Sequence, residues 1–370
     1  MRKLLFLFLL LTTRVFAAEL TVHVDCTCAN DGDGTTTSCS GAPGGVGAQN
    51  SLYNAEVDNR EDLTTNGNNI TFIVGGNCAD DPGSIFFEDT NWNTTAATNC
   101  ITIKTDASRA NSIMDGEGFP TSTYRLEASN YYGLYLNVEC IRVNGLAIKN
   151  QGGTSSNPNF GLSLRPNVKD AIIENVLLIG EDDVNTSTSN YGIEMRNDTT
   201  DKTFIWRNVV VYDFYIAMRI ATSTNDVMIL DNTTTSNTTL ANIQIAQYGA
   251  NDTIRMRNNV MDDCGTNCFT EASTWTTETK SNNVSEDGTI GTTASCTFET
   301  GADNFQLASG DSNCREAGTS LDGDTYDDFN YDIAGTSRPQ NASWDIGAFE
   351  GAATGGGGGQ EILTRRHLIP

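Results

Sequence analysis

The sequence predicts an all-β solenoid of stacked parallel strands, three to a turn. Two phrases that recur in register, and the corner residue inside one of them, carry that expectation. The first phrase is an aromatic, usually a glycine, then apolar–x–apolar: "NYYGLYLNV" (130–138), "PNFGLSLRP" (158–166), "NYGIEMRND" (190–198) and "YDFYIAMRI" (212–220). Aligned on Gly133, Gly161, Gly192, Tyr215 and Asn242, the copies stand 28, 31, 23 and 27 residues apart. The second phrase, such as "IIENVLLI" (172–179) or "IWRNVVVY" (205–212), keeps an asparagine in every copy: Asn144, Asn175, Asn208, Asn232, Asn258 and Asn282. Self-similarity at this period marks a repeat architecture. Period-2 or β-rich apolar runs bounded by Asn, Asp, Gly and Ser mark short strands.

The asparagine leaves no room for a loop between two strands, so the chain must corner on it. Asn tolerates the left-handed backbone such a corner needs, and its amide can bond to the equivalent Asn one repeat away. One repeat then supplies a strand ending in "LSLR", a strand such as "AII", the corner, and a strand such as "VLLI", with no helical spacer. A β-sandwich would need hairpins and predicts no recurring register. A propeller needs a longer repeat of four strands.

In chain order, residues 1–17 read as a signal peptide: Arg2 and Lys3, the apolar run Leu4 to Leu11, and small −3/−1 residues in Val15-Phe16-Ala17. That run is too short to span a bilayer. Residues 18–63 read as an N-terminal cap, because a stacked solenoid exposes a bonding apolar end. Within it "SLYNAEVDNREDL" (51–63) suits a short helix with Leu52, Ala55 and Val57 inward. The coils span 64–290, opening with "NITFIVGG" (69–76) and "CITIKTD" (100–106). Residues 291–352 form the C-terminal end, and 353–370 a Gly-rich linker with a basic tail.

Ten cysteines in a secreted chain imply disulfides, with Cys78–Cys100 and Cys264–Cys268 as local pairs; the spacings do not match common zinc modules. The formal charge is −25, and loss of Arg2, Lys3 and Arg14 (−25 − 3) makes it −28. A surface this acidic repels nucleic acid and anionic lipid. The only histidines, His23 and His367, lie near the two ends, which argues against catalysis built on a central histidine.

The coil pattern over roughly 60–290 resembles the pectate-lyase-like proteins, which implies a right-handed single-stranded parallel β-helix, three strands per coil, with a short N-terminal helical cap. Downstream, "NFQLASGDSNCREAGTSLDGD" (304–324) and "DIAGTSRPQNASWDIGAFE" (332–350) resemble the C-terminal signature of secreted bacterial β-helix proteins often labelled choice-of-anchor Q. Glu316-Ala317-Gly318 departs from its usual Asp–x–Gly.

Candidate sites lie on the outward parity. Leu162, Leu164, Ile193, Met195, Ile216 and Met218 share the core parity, so Arg165, Arg196 and Arg219 share the outer one and are expected to form one column. Guanidiniums stacked about 4.8 Å apart repel unless an anion lies among them. Either Glu194 supplies it, or the column receives carboxylates or sulfates of a polysaccharide or cell-surface glycan. Outward Tyr135 and Tyr215 suit stacking on a sugar ring. Tyr132, Phe160, Tyr191 and Phe214 have the core parity and are expected to stack inside.

Catalysis is thinner. Glu181-Asp182-Asp183 is similar to the Gly–Asp–Asp element of polygalacturonase-type β-helix enzymes, but the elements that accompany it are missing. A lyase mechanism would need calcium and a base, for which Glu194, Arg196 and Arg219 are the candidates. A polysaccharide lyase therefore fits better than a glycoside hydrolase, and a non-catalytic adhesive or receptor-binding protein is the alternative. Calcium-like Asp–Gly runs place Asp31 and Asp33, and Asp322 and Asp324, as possible ligands, with plain turns as the competing reading.

Overall fold

The computed structural model describes residues 18–80, 84–95, 98–105, 124–128, 132–150, 159–180, 190–196, 200–247, 249–272, 277–299, 304–324, 329–339 and 343–351. The segment read as a signal peptide, the 353–370 tail with His367, and the acidic corner with Asp182 and Asp183 lie outside these residues.

The fold is all-β and built on parallel pairs that sort into three ladders. Ladder one stacks Glu19–Asp25, Asn69–Gly75, Ile101–Thr105, Cys140–Asn144, 170–174, 203–207, Val227–Asp231, Thr253–Arg257 and Thr277–Ser281. Ladder two stacks Ala79–Asp80, Arg125–Ala128, Ala147–Asn150, 177–180, 209–212, 234–235, Val260–Met261, Val284–Ser285 and Thr292–Thr293. Ladder three stacks Ile85–Glu88, Tyr132–Asn137, Asn159–Leu164, Asn190–Met195, 216–220, 241–245 and Asn267–Glu271. The first rung comes earlier than expected: "ELTVHVD" (19–25) pairs in register with 69–75, so the cap region itself contains a strand.

Stacked positions repeat their chemistry. In ladder three Ile85, Leu134, Leu162, Ile193, Met218, Ile243 and Phe269 form one buried column. Asn175, Asn208, Asn232, Asn258 and Asn282 all take φ near +50°, while Gly145 bends the Asn144 corner. The Asn175 and Asn208 amides donate to Asn144 Oδ1 (3.0 Å) and Asn175 Oδ1 (3.1 Å), as the corner chemistry requires. Two further left-handed columns, Asp201/Asn225/Asn251 and Asp213/Asn237/Asp263, escaped the sequence reading. They repeat the 24- and 26-residue steps of Asn208, Asn232 and Asn258, and Asn225 donates to Asp201 and Asn251 to Asn225.

At the N-terminal end a helix, Leu52–Asp58, is capped by Ser51, whose side chain accepts from the Asn54 N–H. Leu52 and Ala55 face inward as expected, but Val57 is exposed and Glu56 is buried in its place. Glu56 goes in because its carboxylate accepts from Trp92 Nε1 (2.9 Å) and from Arg60 Nε and Nη2 (2.9 and 2.8 Å). A second short helix, Leu63–Asn66, follows.

The C-terminal segment lies along the outside of the stack. Phe305, Ile333, Ala348 and Phe349 cover the outward Leu177, Ile179, Val210 and Tyr212 of ladder two, and Leu307, Cys314 and Ile346 cover Val260 and Val284. Gly347 has φ +100°, and a Cβ there would stand 2.9 Å from Thr234 Oγ1 and 3.0 Å from Val260 Cγ2, so the "DIGAFE" glycine is a close-approach residue. Fully buried Arg338 pairs with Glu350 (3.3 Å) and donates to the carbonyls of Asp345 and Gly347, which locks the segment. On ladder one, Asp324 bridges Arg255 and Arg257, each at 2.9 Å, while both arginines also bind Asp231.

Five disulfides pair all ten cysteines: Cys26–Cys78, Cys28–Cys39, Cys100–Cys140, Cys264–Cys268 and Cys296–Cys314. Cys264–Cys268 was expected. Cys78–Cys100 is corrected, because stacking sets Cys100 beside Cys140 and brings Cys78 to Cys26.

Asn208→Ala should lower stability by about 2–3 kcal/mol in urea unfolding, through strain at φ +51° and loss of bonds to Asn175 and to the Tyr331 carbonyl. Asn208→Gly should recover about 1 kcal/mol of that, since glycine carries no penalty for this backbone. Stability also depends on pH. Burial pushes Asp332 up to about 6, and burial with the Glu286 charge does the same for Asp262. Their protons are held in the folded chain but released from the unfolded one between 3.8 and about 6, so stability falls as pH rises through that window. Hydrogen bonds from Thr35 and from Thr65 hold Asp33 and Asp62 below the usual range, so their contribution is lost as pH falls below 3.8. Thermal unfolding should therefore show its highest Tm near about pH 4–5, and Asp262→Asn should flatten the decline toward pH 7.

Candidate functional site

Ladder two's outer face is covered and Asp324 bridges Arg255 and Arg257 on ladder one, while the candidate arginines and aromatics lie on the outer face of ladder three. Its outward column reads Phe86, Tyr135, Ser163, Glu194, Arg219, Gln244 and Thr270, in register across seven strands. Arg165 and Arg196 directly follow the paired residues Leu164 and Met195, one position further along their strands. The expected single arginine column is thus corrected. Arg219 stacks on Glu194 rather than on Arg196, because Tyr191 pairs with Ile216 and Ile193 with Met218.

That offset gives the site its geometry. Glu194 is fully buried and its carboxylate receives all three guanidiniums: Arg196 Nε at 2.8 Å, Arg219 Nη1 at 3.1 Å and Arg165 Nη1 at 3.4 Å. Three positive charges thus share one negative charge. Arg196 is the most accessible of the three, its side chain 48% exposed, and it meets Glu194 through Nε. A guanidinium held this way by a single nitrogen can still offer its other donors to an incoming carboxylate or sulfate. Enclosed on all sides by guanidinium, Glu194 positions the arginines and does not itself reach a ligand.

An aromatic strip runs beside the arginines. Tyr132 stacks on Phe160 (centroids 5.1 Å, interplanar angle 11°), Phe160 meets Tyr191 at 5.6 Å, and Tyr135 lies 5.1 Å from both Tyr132 and Phe86. Arg165 sits over Tyr135 and Arg219 over Tyr191, at 5.3 and 5.4 Å from the centroids. The interior stack expected of these aromatics is corrected in part: Phe160 is buried, but Tyr132 and Tyr191 are only half-buried and the strip joins outward Tyr135 and Phe86. The glycine after each aromatic is the residue that turns inward. A Cβ on Gly133, Gly161 or Gly192 would come within 2.7, 2.7 and 2.3 Å of Ile148, Leu178 and Val211, all core residues. Phe214 packs in the main core cluster, against Gly161 and Gly192.

Burial pushes the Tyr132 and Tyr191 phenols up, against the pull of Arg165 on the first and Arg219 on the second, so both stay neutral near pH 7. Tyr135, Arg165, Arg196, Arg219 and Glu194 are thus gathered in one place, while Tyr215 is half-buried between Phe214 and Ile216 on the Arg219 strand. Phe86 was missed, although the alternation in "SIFFE" (84–88), with Ile85 and Phe87 buried, marks it as outward.

Three of the four calcium candidates accept hydrogen bonds or ion pairs through their carboxylates. Asp31 Oδ1 accepts the Asn50 N–H, and Asp33 Oδ1 accepts the N–H groups of Thr35 and Gly47. Asp324 is held by two arginines, while Asp322 is exposed and its N–H donates to Ser320 Oγ. Among the described residues no group of three or more His, Cys, Asp or Glu could hold a metal ion, and no helix is long and apolar enough to cross a membrane.

No protein-family model matches the chain. No curated protein matches it either. Among solved structures, the crystal structure of pectate lyase Pel9A aligns with 91% of this chain and 98% of its own, at 11% identity and a TM-score of 0.30. So loose an overlap adds nothing to the parallel pairing already seen in the chain itself.

Replacing Glu194 by Gln keeps its shape and removes the charge that three guanidiniums share. Because the arginines are partly solvated, the loss should be about 1–3 kcal/mol, below that for a fully buried pair. Urea unfolding at low and at high salt checks this, and the deficit should shrink as salt screens the repulsion.

Proposed function

We propose that this chain binds an acidic polysaccharide, carrying carboxylates or sulfates, on the outer face of ladder three. One observation carries the reading: three arginines gathered on one buried carboxylate, beside a strip of aromatic rings in which Tyr132, Tyr135 and Tyr191 are half-buried, in a chain of formal charge −25. Planar guanidiniums bind carboxylate and sulfate through paired donors, and aromatic rings offer an apolar platform to a sugar face. The acidic remainder of the surface would turn such a ligand toward this arginine cluster.

In this reading the three ladders are the faces of a right-handed coil with three strands per turn. The chain is secreted after cleavage near Ala17, with a cap over 18–63, coils over 64–290, a C-terminal end over 291–352 and a linker tail beyond. The five disulfides suit an oxidising compartment.

Calorimetry of the mature chain with uronate and sulfated oligosaccharides tests the proposal. Arg196→Ala should weaken binding at least tenfold, about 1.4 kcal/mol, and wild-type affinity should fall with salt. Unchanged affinity in Arg196→Ala would overturn it. The same mixtures, followed in the ultraviolet for unsaturated product with and without calcium, separate a lyase from a binding or adhesive protein.

A further inference from the structure

The cationic region has a neighbour of different chemistry at the N-terminal end of the same face. A cleft of about 370 Å³ lies between the capping helix and the first strand of ladder three, lined by Tyr53, Arg60, Ser84, Phe86, Glu88 and Asn91. Phe86 belongs to both places. It forms one wall of the cleft, and its ring lies 5.9 Å from Tyr132 and 5.1 Å from Tyr135, the ring that carries Arg165. An unbroken aromatic path therefore leads from the cleft to the arginines.

The cleft is not another anion site. Its only cation, Arg60, gives Nε and Nη2 to buried Glu56, which also accepts from Trp92, so that charge is matched on the spot. Glu88 adds a carboxylate at the rim, making the cleft neutral to negative where the Arg165–Arg196–Arg219 cluster is positive. Tyr53, 42% exposed, and Phe86 both line the cleft, together with the Asn91 amide and the Ser84 hydroxyl, which also accepts the Tyr132 N–H. Two rings and uncharged hydrogen-bonding groups beside a carboxylate suit a neutral sugar and disfavour an acidic one.

Building on the glycan-binding reading, we infer that the cleft is a subsite for an uncharged sugar residue of the same ligand. The bound chain then runs along the stacking axis, across the strands. Its neutral ring sits between Tyr53 and Phe86 and its acidic groups sit on the arginines. The Phe86 strand is three rungs from Glu194 and four from Arg219, so the two subsites are about 14–19 Å apart at strand spacing. The ligand class is accordingly a heteroglycan that mixes neutral and acidic residues, rather than a homopolymer of uronate.

The test compares three oligosaccharides of equal length by calorimetry: all-uronate, alternating uronate and N-acetylhexosamine, and wholly neutral. The alternating oligosaccharide should bind at least tenfold tighter than the all-uronate one. Tyr53→Ala, at an exposed position, and Phe86→Leu, which keeps the strand apolar, should each bring that preference below threefold. Glu88→Gln should narrow it by improving the all-uronate ligand. Equal affinity for the two acidic ligands, or a preference untouched by Tyr53→Ala and Phe86→Leu, would overturn the inference. If neither acidic ligand binds wild type, the parent reading fails and the neutral oligosaccharide decides the cleft. Binding lost in Tyr53→Ala then supports the subsite, and no binding overturns it.

Discussion

Parallel register is the constraint on which this molecule rests. Each residue stands about 4.8 Å from its equivalent on the next strand, so every column must tolerate its own repetition. Apolar residues, asparagine amides and aromatic rings do so, and these fill the buried columns, the corners and the outer strip. Charges do not: on ladder one they alternate, and where Arg165 and Arg196 stand on neighbouring strands both reach the Glu194 carboxylate. Along ladder one the outward column runs Glu174, Arg207, Asp231, Arg257, with Glu174 bound to Arg207 and Asp231 to Arg257. On ladder three Arg219 stands over Glu194 for the same reason, and Arg165 and Arg196 close on that carboxylate from the side.

A stack of this kind leaves outward apolar residues on its flanks, and ladder two has several. The C-terminal segment covers them, fixed by the buried set of Arg338, Asp332, Asp345 and Glu350. Polar satisfaction there is dense because an unpaired charge at such depth costs several kcal/mol. The outer face of ladder three carries no such cover from the C-terminal clusters, and its character changes along the axis from a neutral aromatic cleft to an arginine cluster.

Corners and core were legible because they depend on residue type repeated at a period. Asn144 through Asn282 announced themselves, and the 201/225/251 and 213/237/263 columns carried the same spacing under a mixture of Asp and Asn. The arginine column was misread because "GIEMR" and "YIAMR" match best as strings. The backbone instead matches Ile193 to Met218, keeping Ala217, Met218 and Ile220 in the core. The aromatic strip was misread because simple alternation fails at Gly133, Gly161 and Gly192, where the missing side chain lets the strand press against ladder two.

The sequence by itself determined the repeat, the corner chemistry, the parallel strands, the disulfide-rich character and the sign of the charge, since each is a local preference multiplied along the chain. Tertiary structure alone decided which anion the arginines meet, which face the C-terminal segment covers, where Cys26 and Cys78 find partners, and that Phe86 joins a cleft at the cap to the arginine cluster. Those outcomes depend on contacts between residues tens of positions apart. A single register offset between neighbouring strands is enough to move a side chain from one partner to another, and only the folded stack fixes that offset.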